Sequence, residues 1–242
     1  MKILTVDISQ KQKSEILEDF QLLNSGYICV TSVHGLIEAY ENKDINEAFT
    51  NSFANIPDGM PIVYYGKWIK KVNLERITGP DFIYDFLDML NDTYSSIVTI
   101  GSDKSTISKF KNILSQNYKN IDLVNSDYSF VELDSSKSMN QIKEFCMTNY
   151  ANYYLVFLST PKQDLLMNYL NKKLNLKMVG FGAAVDYVVG NTKSAPKIVQ
   201  QLSLEWFFRL MQEPKRLFKR YLNIVPKFFY YLFISSLFKK KQ

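Results

Sequence analysis

Short apolar runs rich in β-branched and aromatic residues recur along this chain, and stretches of helical periodicity separate them. Tyr27–Val33, Ile97–Gly101, Ile121–Val124, Tyr153–Leu158 and Leu176–Phe181 read as strands. The stretch after Val33 reads as helical through Ala54, and Pro80–Tyr94, Ser105–Tyr118, Ser138–Asn149 and Gln163–Leu174 read as helices. Alternation at this spacing predicts βαβ units, hence an α/β fold with a mostly parallel sheet and flanking helices. A further helix is predicted from Pro196 to about Met211. It is broken at Glu213-Pro214, because proline disfavours the helical conformation in the residue before it, and Pro226 marks a second break.

Charge divides the chain. From Phe207 to Gln242 there are nine basic residues and one acidic, so the net +5 of the whole conceals a body of net −3. The expected division is an α/β body over residues 1–195 and a helical, basic appendage over residues 196–242. The basic end is interleaved with Phe, Tyr and Leu, a composition suited to anionic lipid headgroups; nucleic acid phosphate is the competing partner. The longest apolar run, Phe228 to Phe238, is about half the roughly 20 residues of a spanning helix. The first residues lack the apolar stretch of a secretory signal. Cys29, Cys146 and His34 are the sole cysteines and histidine. Their number and spacing argue against a disulfide framework and a zinc cluster, and fit a reducing compartment.

In open α/β sheets, ligands bind beyond the carboxyl ends of the strands. Four segments fall there: Ser32-Val33-His34-Gly35, Gly101-Ser102-Asp103, Ser159 to Asp164, and Gly180 to Ala184. Thr160-Pro161-Lys162-Gln163-Asp164 opens a helix, where backbone amides and Lys162 suit a diphosphate; ordinary capping is the equal alternative. Gly180-x-Gly182 allows close backbone approach but lacks the third glycine of a dinucleotide fingerprint. Asp58, in Pro57-Asp58-Gly59, is either a turn residue capping the next helix or a general base. His34 is either a hydrogen-bonded structural residue or a phosphate or sugar contact. Arg209, Arg216 and Arg220 form either a solvated face or a phosphate clamp. No Asp-x-Asp and no P-loop occurs.

Several blocks, taken together and in order, resemble the WecG/TagA/CpsF glycosyltransferases, also called glycosyltransferase family 26. They are Ser32 to Gly35, Pro57 to Pro61, Glu75 to Asp81, Pro161 to Asp164, Val179 to Asp186, Ser194-Ala195-Pro196, Leu204 to Leu210, and Glu213 to Arg216. The resemblance covers about Tyr27 to Tyr221. It implies a Rossmann-like body with a membrane-associating C-terminal appendage. It also implies transfer of a hexose or N-acetylhexosamine from a UDP-sugar to an undecaprenyl-diphosphate-linked acceptor, with inversion and without metal or other cofactor. The best-known members transfer N-acetylmannosamine, and their products feed teichoic acid linkage units, enterobacterial common antigen or capsule. By the same resemblance Asp58 matches the proposed base, and Arg76 and Gln163 match site residues. The resemblance further implies that the appendage arginines Arg209, Arg216 and Arg220 reach the donor diphosphate. Ser32, His34, Gly101, Ser102, Lys162, Gly182 and Asp186 complete the expected donor and acceptor contacts.

Some positions depart from the family pattern. Ser32 and His34 stand where teichoic-acid members have Thr and Asn, Asp164 replaces the commoner Glu, and Ser194 replaces an Arg with Lys193 beside it. The expected location is the inner face of the cytoplasmic membrane, with the donor, the lipid-linked acceptor and the membrane surface as partners, no nucleic acid, and homo-oligomerisation left open. The rival readings are a non-catalytic sugar-nucleotide or polymer-assembly binding protein and a nucleic-acid binder. UDP release in the presence of a polyprenyl-linked acceptor separates the first reading from both.

Overall fold

The computed structural model describes residues 1–128, 136–196, 198–199 and 204–239. Two short strands, β1 (Lys2–Ile3) and β2 (Val6–Asp7), pair antiparallel at the start. After α1 (Lys13–Leu22) come β3 (Gly26–Thr31), α2 (Val33–Glu41), α3 (Lys43–Thr50) and β4 (Ala54–Pro57). The chain continues through α4 (Met60–Tyr64), a π-helical segment (Tyr65–Lys70), α5 (Gly79–Asp92), β5 (Ser95–Gly101), α6 (Lys104–Asn117) and β6 (Ile121–Tyr128). Next are α7 (Ser136–Thr148), β7 (Tyr153–Phe157), α8 (Lys162–Leu174), β8 (Lys177–Gly180) and α9 (Ala184–Val188). The last helices are α10 (Glu205–Gln212) and α11 (Pro214–Lys239).

Strands β3 to β8 form one sheet in the order β4-β3-β8-β7-β5-β6, and every pairing in it is parallel. This is the predicted α/β architecture. Strand β7 is buried at all five positions, as expected for a central parallel strand covered on both faces. One cluster packs Phe20, Phe82, Phe86 and Phe110 against one face of the sheet. The other holds Leu36, Phe49, Leu166 and Met167 from α2, α3 and α8.

The structure corrects several local expectations. The stretch after Val33 is two helices, not one, divided at Asn42, whose side chain accepts from the amides of Asp44 and Ile45 and restarts the helix. It ends before Ala54, which opens β4. Pro196 does not start a continuous helix to Met211, since residue 204 is not helical and α10 begins at Glu205; residues 197 and 200–203 lie outside the described residues. The break at Glu213 is present. Pro226, however, lies inside α11, which runs without interruption from Pro214 to Lys239. Proline removes the bond to the carbonyl of Leu222, but Leu222 is exposed, so water can serve that oxygen. Among the described residues no helix is long and apolar enough to cross a membrane.

Helix α11 packs along α2. Ile224 and Phe228 are buried in the same cluster as Leu36 and Ile37, and the Tyr40 and Tyr231 rings lie 4.6 Å apart. Glu41 accepts from Lys227 Nζ at 2.9 Å and from the Tyr231 hydroxyl at 2.6 Å. The opposite side of α11 exposes Phe218, Leu222, Phe229, Phe233 and Leu237.

Candidate active site

The connection leaving β5 passes through α6 to β6 on one side, whereas that leaving β7 passes through α8 to β8 on the other. Such a reversal opens a crevice at the carboxyl ends of the two strands. Gly101 ends β5 there with φ +95°, and a Cβ on it would lie 2.7 Å from the Leu158 side chain, so glycine is required for this close approach. Ser102 follows, also in the left-handed region with φ 68°.

Beyond β7, the Ser159 to Asp164 segment does open a helix. Pro161 is at the cap position, Lys162 is exposed on the first turn, and Gln163 is buried. Gln163 lies under Gly180, where a Cβ would be 3.0 Å from its Cδ. Its Nε2 donates to the Thr160 hydroxyl at 3.3 Å, and its Oε1 has no partner among the described residues. That orphaned acceptor points to a missing donor, and a substrate hydroxyl is one candidate. Gly182, which follows Gly180 past the end of β8, lies close to the same Oε1.

Asp58 sits just past the end of β4, and its amide donates to the carbonyl of Thr31 at the end of β3. It is not the cap of the helix that follows. Gly59 holds that position with φ +120° and no side-chain cap bond, a conformation that favours glycine. The half-buried Asp58 carboxyl lies beyond the ends of β3 and β4, within reach of charges from other parts of the chain. Burial pushes it above the ordinary aspartate range, the charges of Arg209 and Arg76 pull it down, and Glu205 and Asp81 push it up. These side chains come from the end of β4, from α5 with the loop leading into it, and from α10, so three separate parts of the chain converge here.

Arg76 Nη1 donates to Glu205 Oε1, and the buried Nε of Arg76 has no partner among the described residues. Arg209 places its guanidinium carbon 5.4 Å from the centre of the Tyr187 ring. Burial raises the Tyr187 phenol, and the charge of Arg209 partly offsets it. Thus α10 is joined to the body by an ion pair and a cation–π contact, with Asp58 between them electrostatically.

At the start of α2, Ser32 is the cap, and its hydroxyl accepts from the Gly35 amide at 3.4 Å. His34 Nε2 lies 3.1 Å from Glu38, while Nδ1 is buried without a partner among the described residues. Burial and the charge of Arg220 lower the imidazole, and Glu38 opposes them. Arg220 of α11 therefore lies near the beginning of α2. The side chain of Arg216 lies outside the described residues.

The arrangement brings Asp58, Arg76 and Arg209 together, and places Gln163 with Gly182 and His34 with Arg220. Asp186, next to Tyr187 on α9, accepts from Asn191, which also donates to Thr106 on α6. The contacts of Glu205 and Tyr187 were not legible beforehand. Both fall inside recognisable blocks, but nothing in their spacing shows that the two would hold α10 over Asp58.

The sequence profile described as the glycosyl transferase WecG/TagA/CpsF family matches residues 1–242. The chain is 30% identical over 193 residues to the N-acetylglucosaminyldiphosphoundecaprenol N-acetyl-β-D-mannosaminyltransferase of Bacillus subtilis strain 168, covering 78% of this chain and 72% of that one. It is 23% identical over 235 residues to the enzyme of the same name from Staphylococcus aureus strain MW2, covering 94% of this chain and 90% of that one. The chain thus belongs to the WecG/TagA/CpsF family and is a glycosyltransferase.

Proposed function

We propose that the protein transfers a hexose or N-acetylhexosamine, with N-acetylmannosamine the leading choice, from a UDP-sugar to a sugar on a polyprenyl diphosphate. The product serves bacterial cell-surface polysaccharide synthesis. The observation that carries this reading is the half-buried Asp58 carboxyl facing the Arg76 and Arg209 charges beyond the ends of β3 and β4. The names of the two relatives, both N-acetylglucosaminyldiphosphoundecaprenol N-acetyl-β-D-mannosaminyltransferases, support the choice of sugar and acceptor.

In this mechanism an acceptor hydroxyl oxygen attacks the anomeric carbon from the face opposite UDP. The new carbon–oxygen bond forms as the bond to the β-phosphate oxygen breaks, and that electron pair leaves with UDP. Asp58 takes the hydroxyl proton as general base. Lys162, Arg209, Arg216 and Arg220, together with the first amides of α8, stabilise the developing diphosphate charge, so no metal is required. Arg76 orients Asp58 and the substrate. Ser32, His34, Gly101, Ser102, Gln163, Gly182 and Asp186 form the surrounding donor and acceptor contacts. The basic, aromatic segment over residues 196–242 holds the enzyme to the inner face of the cytoplasmic membrane, where a lipid-linked acceptor presents its sugar.

The test combines purified protein, a panel of UDP-sugars and an N-acetylglucosaminyl-diphosphate-polyprenol, with UDP release as the readout. Release that depends on both substrates is expected with at least one donor. Asp58→Asn should lower it about 10²–10⁴-fold at unchanged thermal stability. Donor binding without any UDP release would leave a binding protein instead, and near-normal turnover by Asp58→Asn would remove that residue from the base role.

A further inference from the structure

We propose that the π-helical segment after Asp58 is a second membrane contact, which inserts Trp68 and Ile69 among the headgroups of an anionic bilayer. The segment follows α4 without a break, and α4 begins two residues after Asp58. Trp68 is 60% and Ile69 65% exposed, so two adjacent large apolar side chains face outward from an ordered element. Their inward neighbours explain the orientation. Gly66 is buried against Leu74, where a Cβ would lie 2.9 Å from its Cδ1, and Tyr65 packs on the cluster that also contains Ile224 and Phe228 of α11. The wide π turn thus commits Tyr65 and Gly66 to the core and leaves Trp68 and Ile69 outside. Trp68 stacks on Tyr64 with ring centres 4.6 Å apart and planes 1° from parallel, so the exposed indole is held in place.

Charge identifies the occupant. Lys67 and Lys70 lie in the segment and Lys71 directly follows it, while no acidic residue occurs from Gly59 to Leu74. None of the three lysines forms an ion pair among the described residues. Tryptophan is favoured at the membrane–water interface, and each lysine near an anionic leaflet strengthens partitioning about fivefold. π-Helical turns also concentrate at functional sites. Because this segment and α11 share one hydrophobic cluster, both lie on the same face of the sheet. Two contacts would fix the orientation of the Asp58 site relative to the bilayer, where one helix alone leaves rotation about its axis. The purpose of the contact rests on the proposed lipid-linked acceptor, but its detection does not.

The chain has two tryptophans, so full-length Trp206→Phe leaves Trp68 as the sole indole reporter. Vesicles of equal parts phosphatidylglycerol and phosphatidylcholine, with and without brominated acyl chains, are the probe. Bound protein should show a blue-shifted Trp68 emission that the brominated lipid quenches, with little binding to pure phosphatidylcholine. Trp68→Ser with Ile69→Ser, and separately Lys67→Gln with Lys70→Gln and Lys71→Gln, should each weaken vesicle binding about tenfold or more. Turnover on a water-soluble acceptor analogue should not change. Unquenched Trp68 in vesicle-bound protein, or wild-type binding by the double variant, would overturn the proposal. So would a lipid-free oligomer that Trp68→Ser dissociates, which would assign the patch to a second copy of the chain. Vesicle binding without sugar transfer would instead count against the proposed activity alone.

Discussion

At the scale of single residues, the site is a balance between burial and charge. Asp58 must be ionised to take a proton, yet burial raises it and only the two arginines pull it back. Removing one of them should therefore raise it further. Arg209→Gln is expected to move the acid limb of the kcat/KM profile to higher pH, because that limb reports the base of the free enzyme; a limb that stays in place would separate Arg209 from Asp58. A second carboxyl lies deeper. Asp164 is fully buried, and burial pushes it up to about 7, opposed by hydrogen bonding from the Thr160 hydroxyl and the Cys29 thiol. The unfolded value is about 3.9, so the folded state holds the extra proton between roughly pH 4 and 7. Stability is thus lost as pH rises through that window and levels off above it. Asp164→Asn cannot ionise. It should melt at a higher temperature than wild type at pH 8, by at most about 4 kcal/mol in stability, and should flatten the slope below pH 7. The sequence pointed to Asp58 and Gln163 because a motif and a helix start surround them. It did not point to Tyr187, Glu205 or the burial of Asp164, since each depends on a partner distant in the chain.

At the scale of elements, strands and helices with strong periodicity were legible and an edge strand was not. Ala54-Asn55-Ile56-Pro57 is buried at all four positions, so it shows no alternation. It pairs with β3 alone, and an edge position is where proline is tolerated in a strand. Strand β6, at the other edge, extends four residues past the apolar run that announced it, with register shifts against β5. Helix α11 shows the converse: a proline that reads as a stop is absorbed where its turn meets water. Because Phe228 is buried beyond Pro226, cutting the chain after Pro226 would open the core as well as remove the tail. Phe229→Ser with Phe233→Ser changes the exposed side alone. It should weaken binding to anionic vesicles about tenfold or more while leaving the melting temperature within a degree or two, since surface substitutions cost little. Unaltered vesicle binding would remove this face of α11 from membrane attachment.

At the scale of the whole molecule, the parallel sheet and its crevice followed from the alternation of elements, whereas the strand order did not. Local periodicity says which segments are strands but not which neighbours they choose. The order places β8 between β3 and β7, and this brings Gly180 over Gln163. Catalysis that relies on arginines, a lysine and helix amides should survive chelation: UDP release in excess chelator is expected within about twofold of the untreated rate. Loss of activity that magnesium or manganese restores would contradict the proposed mechanism. The Tyr40–Tyr231 and Glu41–Lys227 contacts fasten α11 along α2 rather than leaving it on a tether. Under the proposed attachment such a mount acts as a ruler. It holds the crevice at a set height above the lipid surface, so acceptors would be sorted by how far their reacting hydroxyl stands from the bilayer, before any sugar is recognised.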